Sequence, residues 1–184
     1  MKKTFLSFFL LLFCLTSSFS LKAQSDLKIV IIRHAEKQTQ NENLNCMGFN
    51  RSLKLVNVLY KKIGVPSAIY IPSIGNGSTT THSRMFQTIT PFAVKYNVSI
   101  NSSFSGNDFD GLTKDIKGKS GTILLVWNHG SIAALTKALG IKGQQLKWSE
   151  NDFDSMWVLT GKRKSRVLKT DREGITPAAG CPVF

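Results

Sequence analysis

Apolar positions along the chain follow two rhythms. Ile29, Val30, Ile31 and Ile32 form one continuous β-branched run, and residues 122–127 (Thr-Ile-Leu-Leu-Val-Trp) form another. Runs of this length and composition predict strands buried on both faces. Residues 68–71 predict a further strand, closed by Pro72. Between these runs the spacing becomes helical. Residues 48–63 place Leu53, Val56, Tyr60 and Ile63 on one stripe with Leu55 and Leu59 beside it, and Gly64 and Pro66 stop the helix. Residues 83–96 predict a second helix, kinked or broken at Pro91. Residues 107–117 suit a third with an acidic first turn, and residues 131–139 a fourth, ended by Gly140. Residues 155–160 and 165–170 pair as a hairpin across residues 161–164. Residues 37–45 and 74–81 predict loops, residues 97–106 a loop with a short strand at 98–100, and residues 177–184 no element. Strands that alternate with helices predict an α/β fold, a three-layer α/β/α sandwich around a parallel-rich mixed sheet.

Chemistry gathers where these strands end. The first run stops in Arg33-His34-Ala35-Glu36, and the run at 122–127 leads through Asn128 into His129-Gly130. In open α/β sheets, ligands bind beyond the carboxyl ends of the strands. An arginine beside an imidazole supplies what a phosphoryl group needs there: a bidentate guanidinium fork and a nitrogen nucleophile. A second arginine, Arg84, opens the helix at Ser83-Arg84-Met85-Phe86-Gln87-Thr88. Each stretch alone also reads as ordinary solvated polar residues; together at strand ends they point to a phosphate site.

Arg-His-Ala-Glu after the first strand, Ser-Arg-x-x-Gln-Thr in the middle and strand-x-His-Gly late in the chain together resemble the histidine phosphatase superfamily, which has the phosphoglycerate-mutase-like fold. The resemblance runs from Leu27 to about Thr160, and residues 44–53 resemble the family's first helix entry. It implies a phosphoric monoester hydrolase in which His34 is the nucleophile, Arg33 and Arg84 clamp the phosphoryl oxygens, and protonated His129 donates to them. Gly130 then lets backbone N–H groups approach the anion. Leaving groups of high pKa need a general acid, and the candidates are Glu36, Asp108 and Asp110; Glu36 reads equally well as a counter-charge to the two arginines. The residue before His129 departs from the glycine or glutamate of many family members, and Asn128 either shapes the pocket or has no role. The resemblance implies neither metal nor cofactor.

Composition adds a compartment and removes some partners. Lys2 and Lys3 precede an apolar stretch at residues 5–15, and Ala23 offers a cleavage point, so residues 1–23 predict a signal peptide and residues 24–184 a single domain that is periplasmic or secreted. The apolar stretch falls short of the roughly 20 residues of a spanning helix, so no stable membrane anchor is expected after cleavage. Removal of Lys2, Lys3 and Lys22 lowers the formal charge from +13 to +10. That balance favours anionic partners, a phosphorylated small molecule or a phosphoprotein. Nucleic acid is not expected, because the basic residues are scattered and no binding motif accompanies them. Cys46 and Cys181 remain after cleavage, and an exported chain with two cysteines allows one disulfide. His34, His82 and His129 lack the paired spacing of common zinc sites. The pattern assigns no oligomeric state. The function expected is an exported, metal-independent phosphomonoesterase, with a phosphohistidine-protein phosphatase or a non-catalytic phosphate-binding protein as alternatives.

Overall fold

The computed structural model describes residues 26–183; the expected signal peptide lies outside them. The two apolar runs become neighbouring parallel strands at the centre of one sheet, β1 (Lys28–Arg33) and β6 (Thr122–Trp127). With β2 (Ala68–Pro72), β5 (Ile100–Phe104), β7 (Ser155–Thr160) and β8 (Val167–Arg172), the sheet runs β5-β2-β6-β1-β7-β8. The first four strands in that order are parallel. β7 pairs antiparallel with β1, and β8 antiparallel with β7.

Alternation along β1 explains why the run is unbroken. Ile29 and Ile31 face one core together with Ile123, Leu125 and Trp127 of β6. Val30 and Ile32 face the other with Leu124 and Val126. The first core is closed by α3 (Phe109–Ile116) and α4 (His129–Ala138) through Leu112, Ile116, Ile132 and Leu135. The second is closed by α1 (Cys46–Ile63) and α2 (Ser83–Tyr96) through Leu55, Leu59, Met85, Ile89 and Phe92. The three-layer α/β/α sandwich with a mainly parallel mixed sheet is therefore present. The β8 edge strand is exposed and carries Lys169, Asp171 and Arg172, charges that discourage further strand pairing.

Three expectations change. The buried face of α1 is Gly48, Arg51, Ser52, Leu55, Val56 and Leu59, whereas Leu53 and Tyr60 are exposed. The stripe read from hydrophobicity alone is rotated, because polar residues take part in packing this helix. A Cβ on Gly48 would stand 2.0 Å from the Glu36 carbonyl oxygen, so only glycine lets α1 lie against the segment after β1. The loop at 74–81 contains a two-stranded ribbon, β3 (Gly75–Asn76) and β4 (Thr80–Thr81). Strands two residues long are too short to show a periodicity. α2 runs through Pro91 without a break.

The C-terminal tail forms no element but is fastened to α1. Asn50 Nδ2 donates to the carbonyls of Ala178 and Gly180, Lys54 Nζ donates to that of Thr176, and Cys46 is bonded to Cys181. Closing a loop across 135 residues stabilises the fold by a few kcal/mol in the chain-entropy account.

Candidate active site

Arg33 and His34 are delivered by the end of β1, where His34 N–H still donates to the Trp127 carbonyl at 3.0 Å, extending the β1–β6 ladder by one residue. His129 opens α4, whose N-cap is Asn128: its Oδ1 accepts the Ser131 N–H at 2.9 Å. Asn128 thus has a structural task and also lines the site. Arg84 enters from the first turn of α2. The Ser-Arg-x-x-Gln-Thr motif has a physical reason at each of its later positions. Thr88 Oγ1 accepts the Ala35 N–H at 2.9 Å and donates to the Arg84 carbonyl, tying α2 to the segment after His34. Gln87 accepts the Leu44 N–H and donates to Asn43 Oδ1, holding the 37–45 loop.

These elements surround a cavity of about 480 Å3 lined by His34, Arg84, Asn128 and His129 from the expected set. Lys37, Glu42, Thr81, His82 and Met85 complete the wall, so the loops at 37–45 and 74–81 both contribute. Arg33 is 3% exposed and sits beside it. Arg33 Nη1 donates to the carbonyls of Glu150 and Asp152, and its guanidinium lies 3.8 Å over the Phe153 ring. Phe153 in turn meets the His34 ring edge-on, with centroids 6.2 Å apart.

Electrostatics set the protonation of this group. Burial, opposed by the bond to the Ala35 carbonyl and reinforced by Arg84, Arg33 and His129, pushes the His34 imidazole down to about 3. His34 is therefore neutral at physiological pH. Its Nδ1 lies 2.7 Å from the Ala35 carbonyl, which can only accept, so Nδ1 carries the hydrogen and Nε2 keeps its lone pair. That is the form a nucleophile requires. His129 is also held below its ordinary value, by burial and by Arg33. The protonated His129 expected from the sequence is thus disfavoured. Burial lowers Arg33 to about 10, still charged at neutral pH.

The carboxylates fall elsewhere. Glu36 does not line the cavity and pairs directly with neither Arg33 nor Arg84, although its charge supports that of Arg33; it bonds Arg51 Nε and Nη2 at 2.8–3.1 Å. Asp108 caps α3 by accepting the Gly111 N–H, and Asp110 lies in the first turn of that helix; neither lines the cavity. The carboxylate among the lining residues is Glu42, at 3.2 Å from Arg84 Nη2, which sequence reasoning placed only within a loop. Gly130 is exposed and does not line the cavity, and a Cβ there would meet only Asn128 Oδ1 at 3.5 Å. No close contact in the structure demands glycine at that position. A larger cavity, about 620 Å3, lies between α1 and α2 beside the Cys46–Cys181 bridge, and no charged side chain lines it. Among the described residues no group of three or more His, Cys, Asp or Glu is placed to hold a metal ion. No helix among them is long and apolar enough to cross a membrane.

No family model and no curated relative matches the sequence. Solved structures do. A protein histidine phosphatase SixA complexed with tungstate aligns with a TM-score of 0.56 at 13% identity, over 79% of this chain and 97% of that one. SixA of Agrobacterium tumefaciens, assigned as a phosphohistidine phosphatase, aligns at 0.55 and 15% identity, over 82% and 97%. A mycobacterial glucosyl-3-phosphoglycerate phosphatase with inorganic phosphate aligns at 0.51 and 14% identity, over 78% and 95%. The chain has the phosphoglycerate-mutase-like fold of the histidine phosphatase superfamily.

Proposed function

We propose that this protein is an exported, metal-independent phosphomonoesterase that works through a phosphohistidine on His34. One observation carries the reading. Among the described residues, five buried side-chain polar atoms lack a partner, and three of them are Arg33 Nε, Arg84 Nε and His129 Nδ1. A buried donor without an acceptor costs about 1–3 kcal/mol. Three such nitrogens, on residues whose charges all act on the neutral His34 imidazole, favour an anion with several oxygens as ligand. A phosphoryl group fits that description.

In this reading the two arginines hold the equatorial oxygens, and His34 Nε2 attacks phosphorus in line with the leaving oxygen. A bound dianion favours protonation of His129, reversing the effect of burial and Arg33. His129 then donates to the oxygens as charge develops. Water cleaves the phosphohistidine and restores neutral His34.

The test is hydrolysis of a chromogenic aryl phosphate by the exported product, expected to begin at Gln24, in the presence of a chelator. Steady turnover and an acid-labile label on the His34 peptide are the expected results. Activity lost to EDTA and restored by zinc or magnesium would overturn metal independence, and phosphate binding without turnover would leave only a binding protein. The phosphohistidine-protein phosphatase reading is favoured by the two SixA structures, and a phosphohistidine peptide assayed beside the aryl ester separates the two.

A further inference from the structure

The proposed reaction leaves one chemical demand without a residue. An alkyl phosphate releases an alkoxide, which needs a proton as the P–O bond breaks. Glu36 and Asp108 are bonded away from the cavity, and Asp110 does not line it. Glu42 lines it, but its Oε2 is taken by Arg84 Nη2 at 3.2 Å and by the His82 N–H at 3.2 Å.

His82 lines the same cavity and is built unlike an incidental surface histidine. Its backbone is left-handed, with φ 59° and ψ 15°, a conformation uncommon outside glycine and found repeatedly at functional sites. It occupies the N-cap of α2 yet makes no side-chain cap bond. Its Nδ1 instead lies 2.8 Å from the Ser73 carbonyl. A carbonyl only accepts, so Nδ1 carries the hydrogen and Nε2 is the atom free to exchange a proton. The ring's Cε1 and Nε2 edge lies beside Gly106, where an added Cβ would stand 3.7–3.8 Å away. The backbone is tied to Glu42 and the ring to Ser73, so the orientation of Nε2 is fixed by two separate loops. His34 is prepared in the same way, with Nδ1 on the Ala35 carbonyl. The cavity thus holds two imidazoles whose free nitrogens are both Nε2.

Building on the phosphatase reading above, we infer that His82 is a further catalytic residue, the proton carrier to and from the leaving group. In the first step the bond from phosphorus to His34 Nε2 forms and the ester P–O bond breaks. The proton on His82 Nε2 passes to the departing oxygen, giving the alcohol and a neutral His82. In the second step water attacks phosphorus, its proton goes to His82 Nε2, and the electron pair of the P–N bond returns to His34. No proton or electron is left over, and His82 ends as it began.

The test compares an aryl phosphate, whose leaving group needs no acid, with an alkyl phosphate, whose leaving group does. Asparagine tolerates the left-handed backbone and keeps a donor for Ser73, so His82→Asn removes proton exchange with little else. Its kcat/KM for the alkyl ester is expected to fall on the order of 10²–10³-fold. Its kcat/KM for the aryl ester should stay within a few-fold while kcat falls, with a burst of phenol, because hydrolysis of the phosphohistidine loses its base. His82→Gly also accepts this backbone, and added imidazole should restore its alkyl activity. Equal losses on both esters, no loss on either, or absent rescue would overturn the role of His82. So would a wild-type enzyme that turns over aryl but not alkyl phosphates. A wild type inactive on both, with His34 unlabelled, would instead sink the phosphatase reading itself.

Discussion

Buried Arg51 differs in its surroundings from two other arginines, buried Arg33 and half-buried Arg84. Arg51 is 4% exposed and bonds Glu36 at 2.8–3.1 Å and Glu173 at 2.7 Å, with Asp154 at 3.6 Å. Burial acts against its charge, but these carboxylates outweigh it and hold the guanidinium above its ordinary value. Arg33 is as deeply buried but touches only carbonyls and a ring, with Asp152, Glu150 and Glu36 supporting its charge from a distance, while Arg84 pairs with the single carboxylate of Glu42. Lys37 adds a further cation to that side. A buried charge left uncompensated is costly, so the fold surrounds Arg51 with carboxylates in contact, while no carboxylate touches Arg33 and one touches the half-buried Arg84.

Mutation of the open group should act first on turnover. His34→Ala is expected to abolish hydrolysis and the phosphoenzyme, because its nitrogen makes the new bond. His129→Ala, losing one donor, should cost on the order of 10²–10³ in rate and still permit labelling of His34. Rapid-quench trapping followed by peptide mapping reads both, and label on the His129 peptide would show the two roles reversed.

Mutation of the closed group should act on stability instead. Arg51→Ala strands Glu36 and Glu173 in the interior and is expected to cost about 3–5 kcal/mol. Arg51→Met, which fills the volume without charge, should cost less if Glu173 is changed to Gln alongside it. Denaturant titration measures the loss. A drop in kcat with unchanged stability in either variant would break the comparison, since it would put Arg51 with the functional set.

The smallest effect is one of pH. His34 is held at about 3, well below the ordinary imidazole, so below pH 6.5 the unfolded chain takes up a proton that the folded protein refuses. Stability from this group is complete above pH 6.5 and is lost progressively as pH falls toward 3. Between pH 7.5 and 5.5 the loss is roughly 1 kcal/mol. His34→Ala should flatten that slope in thermal melts, and an unchanged slope would mean that another group titrates.

What the sequence made legible is what local pattern encodes. β1 and β6 are apolar runs because both faces are buried, and Arg33, His34 and His129 were visible because they end those runs. Ser83 to Thr88 stood out as a motif, and each of its partners is now evident. His82 stood out only as a third histidine weighed for zinc, and Glu42, Lys37 and Phe153 not at all, because nothing in their neighbours in sequence signals that the loops at 37–45 and 74–81 meet at one cavity or that Phe153 reaches Arg33 and His34. Glu36 misled for the same reason. It lies two residues from His34, but backbone direction after β1 sends its carboxylate to α1. The rotated face of α1 shows the limit of hydrophobicity as a guide, since Gly48, Arg51 and Ser52 are buried for reasons of contact and charge.

The position of β1 in the sheet has a consequence for biogenesis. β1 is the first strand in the described chain, yet its sheet neighbours are β6 and β7, and the carbonyls that hold Arg33 come 117 and 119 residues later. As the polypeptide is made, β1 emerges before both of its sheet neighbours and waits with both edges bare. Pairing at such separation is slow and leaves apolar edges exposed to other chains. The topology therefore completes both edges of β1, and the carbonyl seat of Arg33, only once residues 150–160 have arrived.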